Sequence, residues 1–203
     1  THGFFKANMF LGAGSVMHGT NDDVDMRHYG ALRAAMPVTF VTFALGYLAI
    51  IGVPPFAGFW SKDKIIETAL AQSWWAGLGA LIGAGITAFY MTRLFAMTFF
   101  GEKRWQDGVH PHESPKVMTL PLVALGALSG FGGALAIGGW ITTWLAPVVG
   151  EAHEHELPAP AWVISLAVLA IVVIGVVLGF RKYAGSPVAS EAPDDRDVSF
   201  LTR

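Results

Sequence analysis

Residues 47–64 read YLAIIGVPPFAGFWSKDK, an apolar run that is interrupted by a double proline and followed by a cluster of charges. Proline has no backbone N–H and clashes with the preceding helical turn, so Pro54 and Pro55 predict a break in a helix. The surrounding residues, 37–72, are apolar enough to cross a bilayer, which takes about 20 apolar residues. The stretch therefore predicts a discontinuous transmembrane helix in an all-α, polytopic helix bundle.

The composition supports a membrane protein and excludes several classes of function. Of the 203 residues, 53% are hydrophobic and only 14% are charged, against about 25% charged in soluble domains. The net charge of -2 gives no electrostatic reason to expect a nucleic-acid partner. The absence of cysteine excludes disulfides, thiolate chemistry and iron–sulfur ligation by these residues. No phosphate-binding loop, dinucleotide fingerprint or nucleophile–base signature is present.

Hydropathy divides the sequence into five membrane segments, which together predict a transmembrane bundle over 1–183. We expect helices at 1–18, 37–72 (broken at the prolines), 74–100, 117–148 and 161–180. Residues 184–203 are rich in Pro, Ser and Asp and predict a polar tail or linker. Because the sequence starts without Met and stops without a helix cap, we expect it to be truncated at both ends.

The charges of the loops predict how often 37–72 crosses the membrane. Basic residues collect in three regions, at Arg27 and Arg33, at Lys103, Arg104 and Lys116, and at Arg181 and Lys182. The segment 149–160 carries Glu151, Glu154 and Glu156 and no Lys or Arg. A single crossing of 37–72 puts all three basic regions on the cytoplasmic side, as the positive-inside rule favours. It also puts Lys62 at membrane depth, about 15 Å from the outer end of the helix.

Two residues of the first helix are candidates for proton transfer. Lys6 lies about 12 residues from the first loop, near mid-bilayer, where an ionised Lys costs about 2.5–3.5 kcal/mol and burial favours its neutral form. His2 is four residues earlier, on the same helix face, and a His side chain can relay protons. The alternatives are a Lys in a static ion pair or snorkelling, and a structural core His. His18, at the helix end, is a weaker candidate at the interface.

Lys62 and Asp63 follow the predicted break and are further candidates for ion transfer. Non-helical backbone at membrane depth survives where it is buried in protein or lines a wet cavity, and broken helices mark ion sites in transporters. The alternative is a self-paired surface patch with Lys64 and Glu67. The run His153-Glu154-His155-Glu156 offers metal ligands, but adjacent residues on a loop make a weak site, and we predict no metal.

Several motifs resemble the antiporter-like membrane subunits of respiratory complex I. The resemblance is carried over 1–67 by Thr1-His2-Gly3-Phe4-Phe5-Lys6-Ala7, Phe10-Leu11-Gly12-Ala13-Gly14-Ser15-Val16-Met17-His18, Asp25-Met26-Arg27, Tyr29-Gly30-Ala31-Leu32, Met36-Pro37 and Gly52-Val53-Pro54-Pro55-Phe56-Ala57-Gly58-Phe59-Trp60-Ser61-Lys62-Asp63. Gly3 stands where the family usually has Ala. Beyond 67 the resemblance rests on the hydropathy and order of the segments.

The resemblance implies that this chain is most of the second half of an antiporter-type inverted-repeat fold. It maps the family's His and Lys on the central hydrophilic axis to His2 and Lys6, and its Lys after the second broken helix to Lys62, with Asp63 beside it. The implied function is proton translocation in the bacterial plasma membrane, among other membrane subunits, with NADH, FMN, iron–sulfur clusters and quinone held elsewhere in the complex. Two alternatives are an Mrp-type Na⁺/H⁺ antiporter subunit, which shares the fold and motifs, and a purely structural membrane subunit.

Overall fold

The computed structural model describes residues 1–150 and 159–185, in which every regular element is a helix. The α-helices are α1 His2–Gly19, α2 Pro37–Ile51, α3 Ala57–Gln72, α4 Trp74–Phe99, α5 Lys116–Phe131, α6 Trp140–Val149 and α7 Ala161–Tyr183. Short 3₁₀ segments lie at Met26–His28 and Gly132–Gly139. The predicted all-α class is confirmed. Of the predicted tail, 184–203, only residues 184 and 185 fall within the described residues.

Three stretches of the described chain are long and apolar enough to cross a membrane. They are Trp74–Phe99, Lys116–Leu135 and Ala161–Tyr183, and Pro37–Ile51 is a shorter apolar helix. Large apolar side chains are exposed along these helices, for example Ile82 and Ile86 of α4 and Ile174 of α7. Apolar surface of this extent is expected where lipid replaces water as the solvent. Several membrane-spanning helices, as predicted, are therefore present.

The loops 20–36 and 100–115 pack against each other at one end of the bundle, called here the loop end. The backbone N–H of Arg104 donates to the carbonyl of Tyr29 (3.1 Å), and that of Gly30 donates to Thr98 (3.2 Å). The Arg104 guanidinium donates further to the carbonyl oxygens of Arg27 (2.9 Å) and Met97 (2.7 Å). These bonds join the loop before α2 to the loop after α4, so both loops lie at the same end.

Helices α4 and α7 run parallel and touch through small residues. A Cβ added to Gly175 would lie 2.7 Å from the carbonyl oxygen of Gly85, and one added to Gly179 would lie 2.8 Å from Thr92 Cβ. Larger residues would push the helices apart, because small residues let membrane helices approach closely. At the loop end the pairing continues through the rings of Phe100 and Phe180, which are 5.9 Å apart.

An aromatic core fills the space between α2 and α4. The Tyr47 ring stacks on Phe95 at 4.6 Å, and Phe40 stacks on the same ring at 5.7 Å. The Tyr47 hydroxyl is within 2.7 Å of Thr92 Oγ1, so its polar atom is also satisfied. This packing holds α2 beside α4 and positions the end of α2 for the site described below.

The prediction of one continuous helix over 117–148 is wrong. The α-helix ends at Phe131, a 3₁₀ segment follows, and a second α-helix begins at Trp140. Gly138 and Gly139 adopt φ of 74° and 71°, a left-handed conformation that glycine adopts without steric cost. Gly133 allows α3 to come close, since a Cβ there would lie 2.4 Å from Trp60 Cδ1. Gly138 and Gly139 thus permit the turn before α6, and Gly133 permits the close approach of α3.

Helices α2 and α3 meet at the double proline. Gly52, with φ of 85°, terminates α2, and its N–H bonds back to the carbonyls of Leu48 and Ala49. After Pro54 and Pro55 the chain turns helical again at Ala57. The first turn of α3 packs directly on the last turn of α2, because a Cβ at Gly58 would lie only 1.8 Å from Ala49 O. The sequence around the prolines thus brings the start of α3 against the end of α2.

Candidate functional site

Lys62 reaches from α3 to the carboxyl end of α2. Its Nζ lies 3.5 Å from the carbonyl oxygens of Ile50 and Ile51. The last four carbonyls of a helix have no partner within that helix, and they carry the negative end of its dipole. The aliphatic stem passes over Gly52, whose added Cβ would be 3.3 Å from Lys62 Cδ. The half-buried ammonium is therefore held by backbone oxygens rather than by a carboxylate.

A cleft of about 450 Å³ brings Lys62 together with His2 and Lys6. Its walls come from the start of α1, the end of α2, α3 and the middle of α4. It is lined by Thr1, His2, Phe5, Lys6, Ile50, Gly58, Ser61, Lys62, Ile65, Thr87 and Tyr90. A hydrogen bond of 2.8 Å from Thr1 Oγ1 to Ser61 Oγ ties α1 to α3 across it. Three of the predicted site residues thus share one cleft, although Lys62 is 56 positions from Lys6 and 60 from His2 in the sequence.

The sequence predicts that Lys6 is buried deep within the bundle, but among the described residues its side chain is exposed. Lys6 and His2 line the cleft but remain exposed, and so does Phe10 on the same helix, at 78% of its surface. The reason is the face that α1 uses for packing, where Phe5 and Met9 are buried. The opposite face has no neighbour within the described residues, so the cleft is open on the side of α1.

Asp63 follows Lys62 in sequence but does not line the cleft. Its side chain is 94% buried, on the same face of α3 as Ile66 and Glu67. Its Oδ2 has no hydrogen-bond partner among the described residues. Glu67, one turn later, accepts a hydrogen bond of 2.7 Å from Lys64 Nζ. The predicted pair of Lys62 and Asp63 is therefore divided between two faces of α3.

His18 is not brought to the cleft. It is exposed at the loop end, 16 residues along α1 from His2, which corresponds to about 24 Å of helix. Its ring contacts that of His112 at 5.8 Å between centroids. The interface position expected for His18 agrees with this location, but its inclusion among the proton-transfer residues finds no support in the geometry.

Sequence reasoning missed the contribution of α4 to the cleft. Thr87 and Tyr90 lie three residues apart on one helix face, and both line the cleft opposite α3. They are the polar side chains in the otherwise apolar run from 76 to 91. Two hydroxyls at helical spacing in a membrane helix are the signal that would have found them, since polar groups there face the bundle or a cavity.

Metal binding is not supported by the described part of the chain. Within residues 1–150 and 159–185 no three His, Asp or Glu side chains come close enough to hold an ion. The weak candidate at His153, Glu154, His155 and Glu156 lies outside the described residues.

The residues of the cleft fall within the match to a known family. Residues 1–87 match the family described as NADH:quinone oxidoreductase/Mrp antiporter, transmembrane. The match begins with the α1 residues of the cleft and reaches Thr87 in α4. Subunit L of NADH-quinone oxidoreductase from Mycobacterium tuberculosis (strain CDC 1551 / Oshkosh) is 56% identical over 198 residues, 95% of this chain. The chain is a homologue of NADH-quinone oxidoreductase subunit L.

Other relatives of this family align with a shorter part of the chain. Chain 5 of the NAD(P)H-quinone oxidoreductase of Picosynechococcus sp. (strain ATCC 27264 / PCC 7002 / PR-6) is 44% identical over 168 residues, covering 68% of the chain and 25% of the relative. Subunit L of Neisseria meningitidis serogroup B is 44% identical over 159 residues, covering 68% of the chain and 24% of the relative. The mycobacterial subunit L is covered over 31% of its length, so the chain spans about a quarter to a third of these relatives.

Proposed function

We propose that this chain is the proton-translocating second half of an antiporter-like subunit of NADH-quinone oxidoreductase. The observation that carries the proposal is the cleft in which His2, Lys6 and Lys62 meet. Three groups that bind protons, contributed by two helices and facing one cavity, are what a relay across part of a membrane requires. Catalysis of redox chemistry needs cofactors, and we assign NADH, FMN, iron–sulfur clusters and quinone to other subunits.

The chemistry of the proposed relay follows from competition between two cations. An ammonium in a cavity disfavours a second ammonium nearby, so protonation of Lys6 lowers the proton affinity of Lys62 and the reverse. The carbonyls of Ile50 and Ile51 stabilise the charged form of Lys62 without a carboxylate. A proton arriving from one side would thus expel a proton toward the other. Moving a charge against the membrane potential costs about 2.3 kcal/mol per 100 mV, which the redox reaction must supply.

The membrane topology belongs to the same proposal. We assign α2 and α3 to the two halves of one discontinuous helix that crosses the membrane once, within an inverted-repeat fold. The hydrogen bonds between the loops 20–36 and 100–115 support this, since two separate crossings would put those loops on opposite sides. All three basic regions then face the cytoplasm of a bacterium, across its plasma membrane. Partners would be the remaining part of the subunit, the other membrane subunits and the lipid.

An Mrp-type antiporter subunit is the second candidate function. The matching family is described by both names, so its motifs do not separate the two. The identity of 56% to an NADH-quinone oxidoreductase subunit favours the first. Proton uptake driven by NADH in sodium-free membranes distinguishes them, because an antiporter needs Na⁺ and not NADH. A purely structural membrane subunit is the third alternative, and the substitutions below test it.

The direct test of function is proton pumping by variants of the full-length subunit in its complex. We expect Lys62→Met and Lys6→Met to lower NADH-driven proton uptake into inverted membrane vesicles by at least half. Lys103→Met is the matched control, because Lys103 stacks on Trp105 at the loop end, outside the cleft. Blue-native gels establish that each complex assembles. Unchanged pumping in assembled Lys62→Met and Lys6→Met complexes would favour a structural role.

A further inference from the structure

Four cations close to α4 and α7 at the loop end have no anionic partner among the described residues. The side chains of Arg33, Arg93, Arg181 and Lys182 make no hydrogen bond, and no carboxylate lies within 4 Å of them, anywhere in the described residues. Two other arginines at the same end are fully engaged: Arg104 bonds to backbone carbonyls, and Arg27 pairs with Asp25. The loop end therefore contains both satisfied cations and a group that is available for an anion.

The available cations surround the end of α7. The guanidinium of Arg93 lies 5.4 Å from the centre of the Tyr183 ring, and Lys182 Nζ lies 5.7 Å from the same ring. The Arg33 guanidinium lies 5.1 Å from the Phe100 ring, which packs against Phe180 of α7. Cation–π contacts orient these groups but leave their N–H donors free.

The position of Arg93 along α4 puts lipid phosphates within reach of its side chain. With 26 residues α4 is about 39 Å long, so it extends about 4–5 Å beyond each side of a 30 Å hydrocarbon layer. Arg93 is six residues before the end of α4, or about 9 Å, which puts its Cα just inside that layer. Its long side chain can reach the phosphates from there.

An apolar surface continues from these cations along α7. Ile174, Val177 and Leu178 are exposed in the turns that precede Arg181, and Ile86 is exposed on the neighbouring α4. A free phosphate ion would use only the cations. A ligand that uses both the cations and the apolar strip has an anionic head and hydrocarbon tails.

We propose that the α4–α7 end binds the headgroup phosphate of an anionic diacyl phospholipid through Arg93 and Lys182, with Arg33 and Arg181 at its edge. The acyl chains lie along the exposed residues of α7. The site lies at the carboxyl end of α4. It is separate from the cleft, to which α4 contributes Thr87 and Tyr90. Bound lipid would cover the contact between α4 and α7 at the membrane surface.

The test is lipid binding to the intact complex measured by native mass spectrometry. After delipidation, the complex is titrated with dioleoylphosphatidylglycerol and, separately, with dioleoylphosphatidylcholine. We expect the glycerol lipid to bind more tightly, and Arg93→Gln to weaken it about fivefold, as a surface cation contributes about a factor of five. Arg93→Lys should retain most of the binding because the charge remains. Lys116→Gln, at the loop end but on α5, is the matched control and should leave it unchanged.

The results separate a specific site from general attraction to a positive surface. Equal weakening by Arg93→Gln and Lys116→Gln would overturn the proposal, and so would equal affinity for the two lipids. A matching loss in Arg93→Gln and Lys182→Gln, with Lys116→Gln unaffected, supports it. NADH-driven pumping does not enter this measurement, so its outcome is independent of the proposed function.

Discussion

At the scale of single residues, the two lysines of the cleft differ in what surrounds their charge. Lys62 is half-buried and lies at the carbonyl end of α2, whereas Lys6 is exposed on the open side of α1. Hydropathy places both at membrane depth, but it cannot show which face of α1 packs inward. The buried side chains Phe5, Asn8 and Met9 decide that face, and they leave Lys6 outside it.

A second residue, Asp25, organises the loop end and makes it sensitive to acid. Hydrogen bonds from the Arg27 guanidinium and the Arg27 backbone N–H hold the pKa of Asp25 well below its ordinary value. A carboxylate with a depressed pKa stabilises the folded loop fully above its unfolded pKa of about 3.9, and the stabilisation is lost as the pH falls below that value.

Hydrogen–deuterium exchange at the Arg27 amide tests this effect. We expect its protection factor to be constant between about pH 7 and pH 5 and to fall below about pH 4, where Asp25 of the opened loop begins to be protonated and opening becomes more favourable. Asp25→Asn should lower the protection at neutral pH and remove its acid dependence. Asp22→Asn, at an exposed position in the same loop, should behave as the unchanged protein. Persistence of the acid-dependent change in Asp25→Asn would contradict the role given to Asp25.

At the scale of elements, the junction of α2 and α3 creates the site. Pro54 and Pro55 were sufficient to predict an interruption there. The interruption at 132–139 was not predicted, because glycine-rich membrane segments are also common in continuous helices. What ends α5 is tertiary contact, since Gly133 admits Trp60 of α3, and hydropathy contains no information about such an approach.

The close approach at Gly58 provides a stability test of the junction. Gly58→Ala puts a methyl group 1.8 Å from the Ala49 carbonyl oxygen, so the helices must separate. We expect a loss of about 1–3 kcal/mol, as for other overpacked sites, measured by denaturant unfolding of the purified protein in detergent. Gly79→Ala is the matched control, because nothing lies within 4 Å of its added Cβ. Equal stability of the two variants would show that α2 and α3 do not meet as described.

At the scale of the whole molecule, the described chain leaves one face of α1 uncovered. The chain spans about 31% of the mycobacterial subunit L, and the cleft is open along the uncovered face of α1. The fold class and three members of the cleft, His2, Lys6 and Lys62, could be predicted from apolar segments, charges at depth and motifs. The places of Thr87 and Tyr90 in the cleft could not be predicted in this way, because they depend on how α4 packs against α3, through contacts between residues distant in sequence.

Proton transfer through the cleft requires that water reaches Lys62. Cysteine accessibility tests this requirement most directly, in a full-length subunit that is otherwise free of cysteine. Ser61→Cys and Thr87→Cys line the cleft, whereas Val173→Cys is exposed on the apolar surface of α7. We predict that a water-soluble methanethiosulfonate labels the thiols at 61 and 87 at least tenfold faster than the thiol at 173. Equal, slow labelling at all three positions would mean that the cleft is dry, and the proton-transfer account would be contradicted.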